Sequence, residues 1–133
     1  MSGYEGGCLC GQVRWAAGAE PLNVRVCHCR LCQTATGAPF FARALFPREA
    51  FSRKGETTGW RSSPRLQRMS CARCGTPMFA EPNDLPPRIS VSLATCDDRH
   101  ALKPTAHIWV SEKLDWLSIE DGLPQHAEGY PRT

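Results

Sequence analysis

Seven of the eight cysteines stand at spacings that suit a metal ion. Cys27, Cys29 and Cys32 crowd into six residues, Cys8 and Cys10 form a Cys-x-Cys pair, and Cys71 and Cys74 form a Cys-x-x-Cys pair. Such spacings let two sulfurs converge on one point, and a soft tetrahedral ion such as zinc rewards that convergence with short bonds. A closed structural zinc takes four protein ligands, whereas a reactive one takes three and keeps a position open. The two separated pairs make a set of four, Cys8, Cys10, Cys71 and Cys74, and Cys27, Cys29 and Cys32 remain one ligand short. The expectation is therefore two zinc ions per chain, one structural and one open.

Three residues compete for that open position and would close it: His28, His107 and Cys96. His28 lies between two ligand cysteines, where an extended strand would turn it away from the metal. Cys96, in the loop Thr95-Cys96-Asp97-Asp98, has no sequence partner and reads as a plain thiol. A disulfide framework is the alternative for all eight cysteines. It belongs mainly to small secreted chains, and residues two apart in a strand are near the upper Cα separation for an easy bridge. The opening Met-Ser-Gly-Tyr-Glu has neither the basic nor the apolar region of a signal peptide, so a reducing cytoplasm is the expected compartment.

The elements that must position these sulfurs are short strands. Gly6 to Gly11 alternates cysteine with Leu9, which would place both sulfurs on one strand face and Leu9 on the other. Val13 and Trp15 continue the alternation inward. Leu22, Val24 and Val26 form a half-buried strand that ends at Cys27. From Cys29 the chain must turn, through one short helical turn over Gln33 and Ala35, stopped by Gly37 and Pro39. Pro39 to Phe46 has the density of a central strand, and Phe51 to Gly55 reads as a short edge strand with a turn. Trp60 to Ser62 and Leu66 to Met69 flank a Ser-Ser-Pro turn and lead into a knuckle, Cys71-Ala72-Arg73-Cys74-Gly75, where Gly75 can take a positive φ. Pro77 to Ala80, Ile89 to Leu93 and Ala106 to Val110 complete the strands, with a helical turn over Glu112 to Trp116. The fold class is mainly β, built from small packed antiparallel sheets.

The 133 residues suit one domain. No apolar run reaches the roughly 18 residues of a membrane span. The formal charge of +3 falls to about zero once seven thiolates and two divalent ions are counted. Arg43 to Arg73 is nevertheless rich in arginine, and it reads either as a solvated strand surface or as a basic face for an anionic ligand or nucleic acid.

These residues resemble a known family. Gly6-Gly7-Cys8-Leu9-Cys10-Gly11, Cys27-His28-Cys29-Arg30-Leu31-Cys32 followed by Gly37, Cys71-Ala72-Arg73-Cys74-Gly75-Thr76-Pro77, and later His107-Ile108 with Trp116, resemble the glutathione-dependent formaldehyde-activating (CENP-V/GFA) family. The match runs over residues 4–117, the expected zinc domain, and leaves residues 118–133 as an irregular tail packed on that domain or trailing from it. The resemblance implies a zinc-bound Mss4-like fold and the same division of the cysteines, with Cys27, Cys29 and Cys32 at the reactive zinc. It also implies a carbon-sulfur lyase joining or splitting formaldehyde and glutathione as S-hydroxymethylglutathione.

The residues fit thiol chemistry. Three thiolates on one zinc leave a site of net charge near minus one, poorly suited to making hydroxide but able to hold an incoming thiol as its thiolate. Arg30 inside the cluster either stabilises sulfur or carboxylate charge or is simply exposed. Recognition of the organic part of the thiol falls to loops near Phe40, Arg43 and Trp109. The competing reading is a binding module, with both zincs structural and the Arg43 to Arg73 segment meeting nucleic acid or a protein partner.

Overall fold

The computed structural model describes residues 3–129. Ten strands form two sheets. The smaller joins β1 (Tyr4–Gly7), β2 (Arg14–Ala17) and β5 (Phe51–Lys54) in the order β1-β2-β5. The larger has seven strands: β3 (Asn23–Cys27), β4 (Phe41–Pro47), β6 (Thr57–Ser63), β7 (Leu66–Cys71), β8 (Pro77–Pro82), β9 (Arg88–Ser92) and β10 (Ala106–Ile108). Their order is β10-β3-β4-β9-β8-β7-β6, antiparallel throughout except for the parallel pair β10 and β3.

Alternation along the strands gives the large sheet two different faces. Val24, Ala44, Phe46, Ile89, Val91 and Met69 point to one side and meet the small sheet. Trp15 of β2 stacks on Phe51 of β5 with ring centroids 5.5 Å apart, and Phe46 and Phe79 close around them at 5.8 and 5.7 Å from Phe51. The residues between these, among them Cys27, Phe41, Arg43, Leu45, Ser90 and Arg68, point to the opposite side, where no second sheet covers them. That face carries the candidate site.

The sequence reading is right about most strands and wrong about Cys8 to Cys10, about Leu22 and about the helical turn after β10. Cys8 to Cys10 is a turn between β1 and β2, and Leu9 is 91% exposed instead of entering the core. The reason is local: the Cys8 N–H donates to the Val13 carbonyl (3.0 Å) and the Gly11 N–H to the Cys8 carbonyl (3.1 Å), a tight loop that an extended strand would not allow. Leu22 likewise lies outside β3 and is exposed.

Helix α1 (Arg30–Thr36) takes up the turn expected after Cys29. Cys29 is its N-cap, its Sγ accepting the Cys32 N–H at 3.3 Å, and Gly37 closes it in the left-handed region (φ 69°) with its N–H on the Gln33 carbonyl. After β10 the chain bends at Trp109, whose φ of 57° is unusual for an aromatic residue and costs about 1–3 kcal/mol. A single 3-10 turn over Val110–Glu112 follows; the helical turn expected over Glu112 to Trp116 does not form, and the Leu117 N–H on the Leu114 carbonyl (3.1 Å) closes a turn there instead. The chain from Leu117 to Gly129 forms no helix or strand, yet it runs beside β10: the His107 N–H donates to the Pro124 carbonyl and the His126 N–H to the His107 carbonyl, each at 2.9 Å. No helix among the described residues is long and apolar enough to cross a membrane.

Candidate metal centres and the cleft beside them

Two groups of cysteines gather as the spacings suggest, Cys8 with Cys10, Cys71 and Cys74, and Cys27 with Cys29 and Cys32. Within each group the sulfurs lie within 4.8 Å of one another. All eight cysteines are free thiols, which sets the disulfide alternative aside. A tetrahedral ion with metal-sulfur bonds of about 2.3 Å needs sulfurs about 3.8 Å apart. Cys8 Sγ and Cys10 Sγ are 3.6 Å apart, and Cys10 Sγ and Cys71 Sγ 3.8 Å, so the four-cysteine set fits such an ion.

Two similar loops build the four-cysteine set. Cys8 Sγ accepts the Val13 N–H at 3.2 Å, and Cys71 Sγ accepts the N–H groups of Arg73 and Cys74 at 3.4 Å each. Gly75 (φ 78°) lets the second loop close, its N–H reaching the Cys71 carbonyl at 2.9 Å. Thr76 joins the loops: its hydroxyl lies 3.1 Å from Cys74 Sγ and accepts the Leu9 N–H at 3.2 Å. The Thr76 hydroxyl and amide bring the Cys74 thiol down to about 5. A thiol already inclined to ionise is what a metal ligand requires.

The three-cysteine set sits where β3 ends and α1 begins, against β10. Gln33 clamps this junction, its amide nitrogen donating to the carbonyls of His28 (2.7 Å) and Glu112 (2.9 Å). The Arg30 N–H, free at the helix start, is satisfied by Glu112 Oε1 at 2.7 Å. Arg30 is itself exposed and outside the cleft, the plainer of its two readings. Arg68 of β7, not Arg30, provides the charge beside the sulfurs: buried, it reaches Cys32 Sγ with Nη2 at 3.3 Å, is held by the Ser62 hydroxyl at 2.8 Å, and lies over the Phe41 ring. Cys27 and Cys29 thiols donate to Cys32, and Arg68 adds its charge, so the Cys32 pKa falls far below the ordinary thiol range. Cys27, pressed by its neighbours' sulfurs and by burial, moves up.

None of the three competitors for the fourth position belongs to this set. Cys96 is buried in the main core beside Gly6. His28 turns away from the sulfurs, as strand geometry suggests, and its Nε2 meets His107 Nδ1 at 2.9 Å, while His107 Nε2 meets Asp121 at 2.7 Å. Burial and the neighbouring His107 lower the His28 pKa. The two imidazoles thus join the strand end to the C-terminal segment. Asp121 and Arg68 are the two hydrogen-bond partners around this group that sequence reasoning missed. For Arg68 a signal was present, since alternation in Leu66-Gln67-Arg68-Met69 sets it on the face opposite Met69.

A cleft of about 290 Å³ opens beside the three sulfurs. Its floor follows one rung of the sheet, since the registers align Leu45, Ser90, Ala80 and Arg68 across four strands. The two central residues of that rung are small, which leaves room above them. Arg43 and Trp109 line the cleft as expected; Phe40 does not, packing instead on His28 at 5.5 Å. Burial and the facing Arg25 bring Arg43 down to about 10, with Cys27 and Cys32 pulling the other way, so it remains a cation at neutral pH. The arginine-rich segment does not form one basic face: Arg43 and Arg68 turn into the cleft, and Arg48 and Arg53 share Glu81 at 3.6 Å.

Among curated proteins none matches the chain. A crystal structure of a Rhodobacter sphaeroides protein, a structural-genomics target, is similar in fold, with a TM-score of 0.58 at 21% identity over 75% of this chain and 91% of that one. The family model described as glutathione-dependent formaldehyde-activating enzyme matches residues 3–112. That span holds both cysteine groups and the cleft between the sulfurs and Arg68, and the chain belongs to the glutathione-dependent formaldehyde-activating family.

Proposed function

We propose that the chain is a zinc-dependent carbon-sulfur lyase acting on a thiol-aldehyde adduct, such as S-hydroxymethylglutathione formed from, or split into, glutathione and formaldehyde. The observation that carries this reading is the inequality of the two cysteine groups: one offers four sulfurs, the other three sulfurs on the wall of a cleft. Cys27, Cys29 and Cys32 would hold the zinc ion, which would supply an open position favouring the deprotonated form of an incoming thiol.

The chain's own residues account for the rest. Arg68 places a buried cation 3.3 Å from Cys32 Sγ, offsetting the excess negative charge of a sulfur-rich site. Leu45, Ile108 and Trp109 give the cleft an apolar wall that limits water around the reacting carbon. In the forward direction the thiol sulfur bonds to the aldehyde carbon and the carbonyl π pair moves to oxygen, which takes up the proton the thiol lost. In reverse the hydroxyl proton leaves, the carbon-sulfur bond breaks and the carbonyl reforms.

Exchange NMR on labelled formaldehyde with glutathione tests this proposal. Zinc-loaded protein should speed the exchange, and Cys32→Ser should abolish the effect. Exchange accelerated equally by Cys32→Ser would sink the assignment. The nucleic-acid reading has a smaller basis than the segment's composition suggests, because Arg43 and Arg68 turn into the cleft and Arg48 and Arg53 share Glu81, which leaves Lys54, Arg61, Arg65 and Arg73 exposed.

A further inference from the structure

We propose that residues 121–128 form a positioning strap: they lock Trp109 in a left-handed backbone turn that swings its indole onto the three-cysteine group, where it packs against the bound adduct. This deepens the lyase reading and rests on it. Alternation in β10 is the first observation. Ile108 lies opposite Cys27 in the sheet register and lines the cleft, so the next residue of a regular strand would point to the other side, with His107. Trp109 nevertheless lines the cleft as well, and it packs on the cluster of Cys27, Cys32 and Ile108. Two consecutive residues share one face because the chain leaves the extended region at Trp109, with φ 57° and ψ 38°.

Glycine takes that backbone at no steric cost, and a residue with an indole does not. Among the described residues Trp109 is the single non-glycine residue with a positive φ. Such a conformation persists only where its surroundings over-determine it. Residues 121–128 supply those surroundings. The N–H groups of Trp109, Val110 and Ser111 donate to the carbonyls of Glu128, His126 and Ala127 at 2.9, 3.0 and 3.0 Å. On the other side of Trp109, His107 bridges Gln125 in parallel, its N–H on the Pro124 carbonyl and its carbonyl taking the His126 N–H. The Asp121 carboxylate anchors the start of the strap on the His107 ring at 2.7 Å and accepts the Leu123 N–H at 3.0 Å. The strap lies beyond residue 112, the end of the family-model match, so that match does not account for it.

The chemistry of the adduct gives the indole its task. The reacting part of a thiol-aldehyde adduct is a run of methylene, sulfur and methylene, and such groups pack well on an aromatic face. Trp109 offers that face beside the sulfurs, at the expense of backbone strain that a glycine there would relieve.

Formaldehyde exchange NMR at rising glutathione concentration, run beside thermal melts of the zinc-loaded full chain, tests the strap and the indole together. Trp109→Ala and Trp109→Gly both remove the indole, and each should raise the half-saturating glutathione concentration at least about tenfold, while Trp109→Phe stays within about threefold of the unmodified protein. Trp109→Gly should melt about 2–4 °C above Trp109→Ala, the reverse of the usual order, because only alanine keeps the strain. His126→Pro removes the strap's N–H from the His107 carbonyl. The amides of Trp109, Val110 and Ser111 should then exchange with deuterium at least about tenfold faster, with both zinc ions retained and half-saturation moved toward the Trp109→Ala value. Should His126→Pro fail to fold, Asp121→Ala, which cuts the side-chain anchor, takes its place. Unchanged half-saturation in Trp109→Ala, an alanine variant melting at or above the glycine variant, or unchanged amide exchange in the strap variant overturns the inference and leaves the lyase reading standing. No exchange catalysis by the unmodified protein overturns both.

Discussion

The two cysteine groups use the same side chains at nearly the same spacings and arrive at different ends. Cys8, Cys10, Cys71 and Cys74 come from two loops that hydrogen-bond their own sulfurs with backbone N–H groups and are joined by Thr76. Cys27, Cys29 and Cys32 come from one strand end and one helix start, with a single backbone N–H on Cys29 and a buried arginine on Cys32. The first group closes on itself, while the second faces a cleft. The contrast teaches that a fourth sulfur and a set of backbone donors make a cross-link, whereas three sulfurs and a buried cation beside open space make a place for a ligand.

The largest expected effect separates the groups by stability. Cys74→Ser should lower the melting temperature by more than about 10 °C, since structural zinc binding is largely folding energy. Cys32→Ser should lower it by less than about 5 °C. Thermal scans of the two variants with their zinc content measured would settle this, and equal losses would erase the distinction drawn here.

Next in size is the effect on chemistry. Cys32→Ser should cost the formaldehyde exchange rate at least about 100-fold, more than is typical for a change outside the ligand set. Arg68→Met sharpens the comparison, because it leaves every sulfur in place. Its exchange rate should fall by roughly 10- to 100-fold, and competition with a chelator should strip one of the two zinc ions sooner than in the unmodified protein. Unchanged exchange with unchanged chelation would reduce Arg68 to a packing residue.

The smallest effect concerns the segment that backs the three-cysteine group. His107 first, and then the Leu123 N–H, hold the Asp121 carboxyl below its ordinary 3.8. A depressed carboxyl contributes stability above its unfolded value and loses it as pH falls through the lower folded value. Asp121→Asn should therefore lower the melting temperature slightly at pH 7, and the gap between the two proteins should close on acidification below 3.8. A gap that persists in acid would mean that Asp121 acts by packing alone.

Much of this was legible from residue types in order. The seven clustered cysteines, their division into four and three, the turn after Cys29 with Gly37 behind it, and the strands from β3 to β9 all follow from spacing and alternation along the chain. The Cys8 to Cys10 turn was misread because alternation of cysteine and leucine imitates a strand. Hydrogen bonds to Val13 and Gly11 overrule that pattern, and they are visible only once the loop is closed.

The amino-acid order by itself determined which sulfurs could share an ion, because ligand convergence within a Cys-x-Cys or Cys-x-x-Cys unit spans only a few residues. Tertiary structure alone decided that Arg68 and not Arg30 touches Cys32, and that small residues in a four-strand rung leave a cleft there. The physical reason is register: which side chains share a rung depends on hydrogen bonds between strands far apart in sequence, and no local pattern records that pairing.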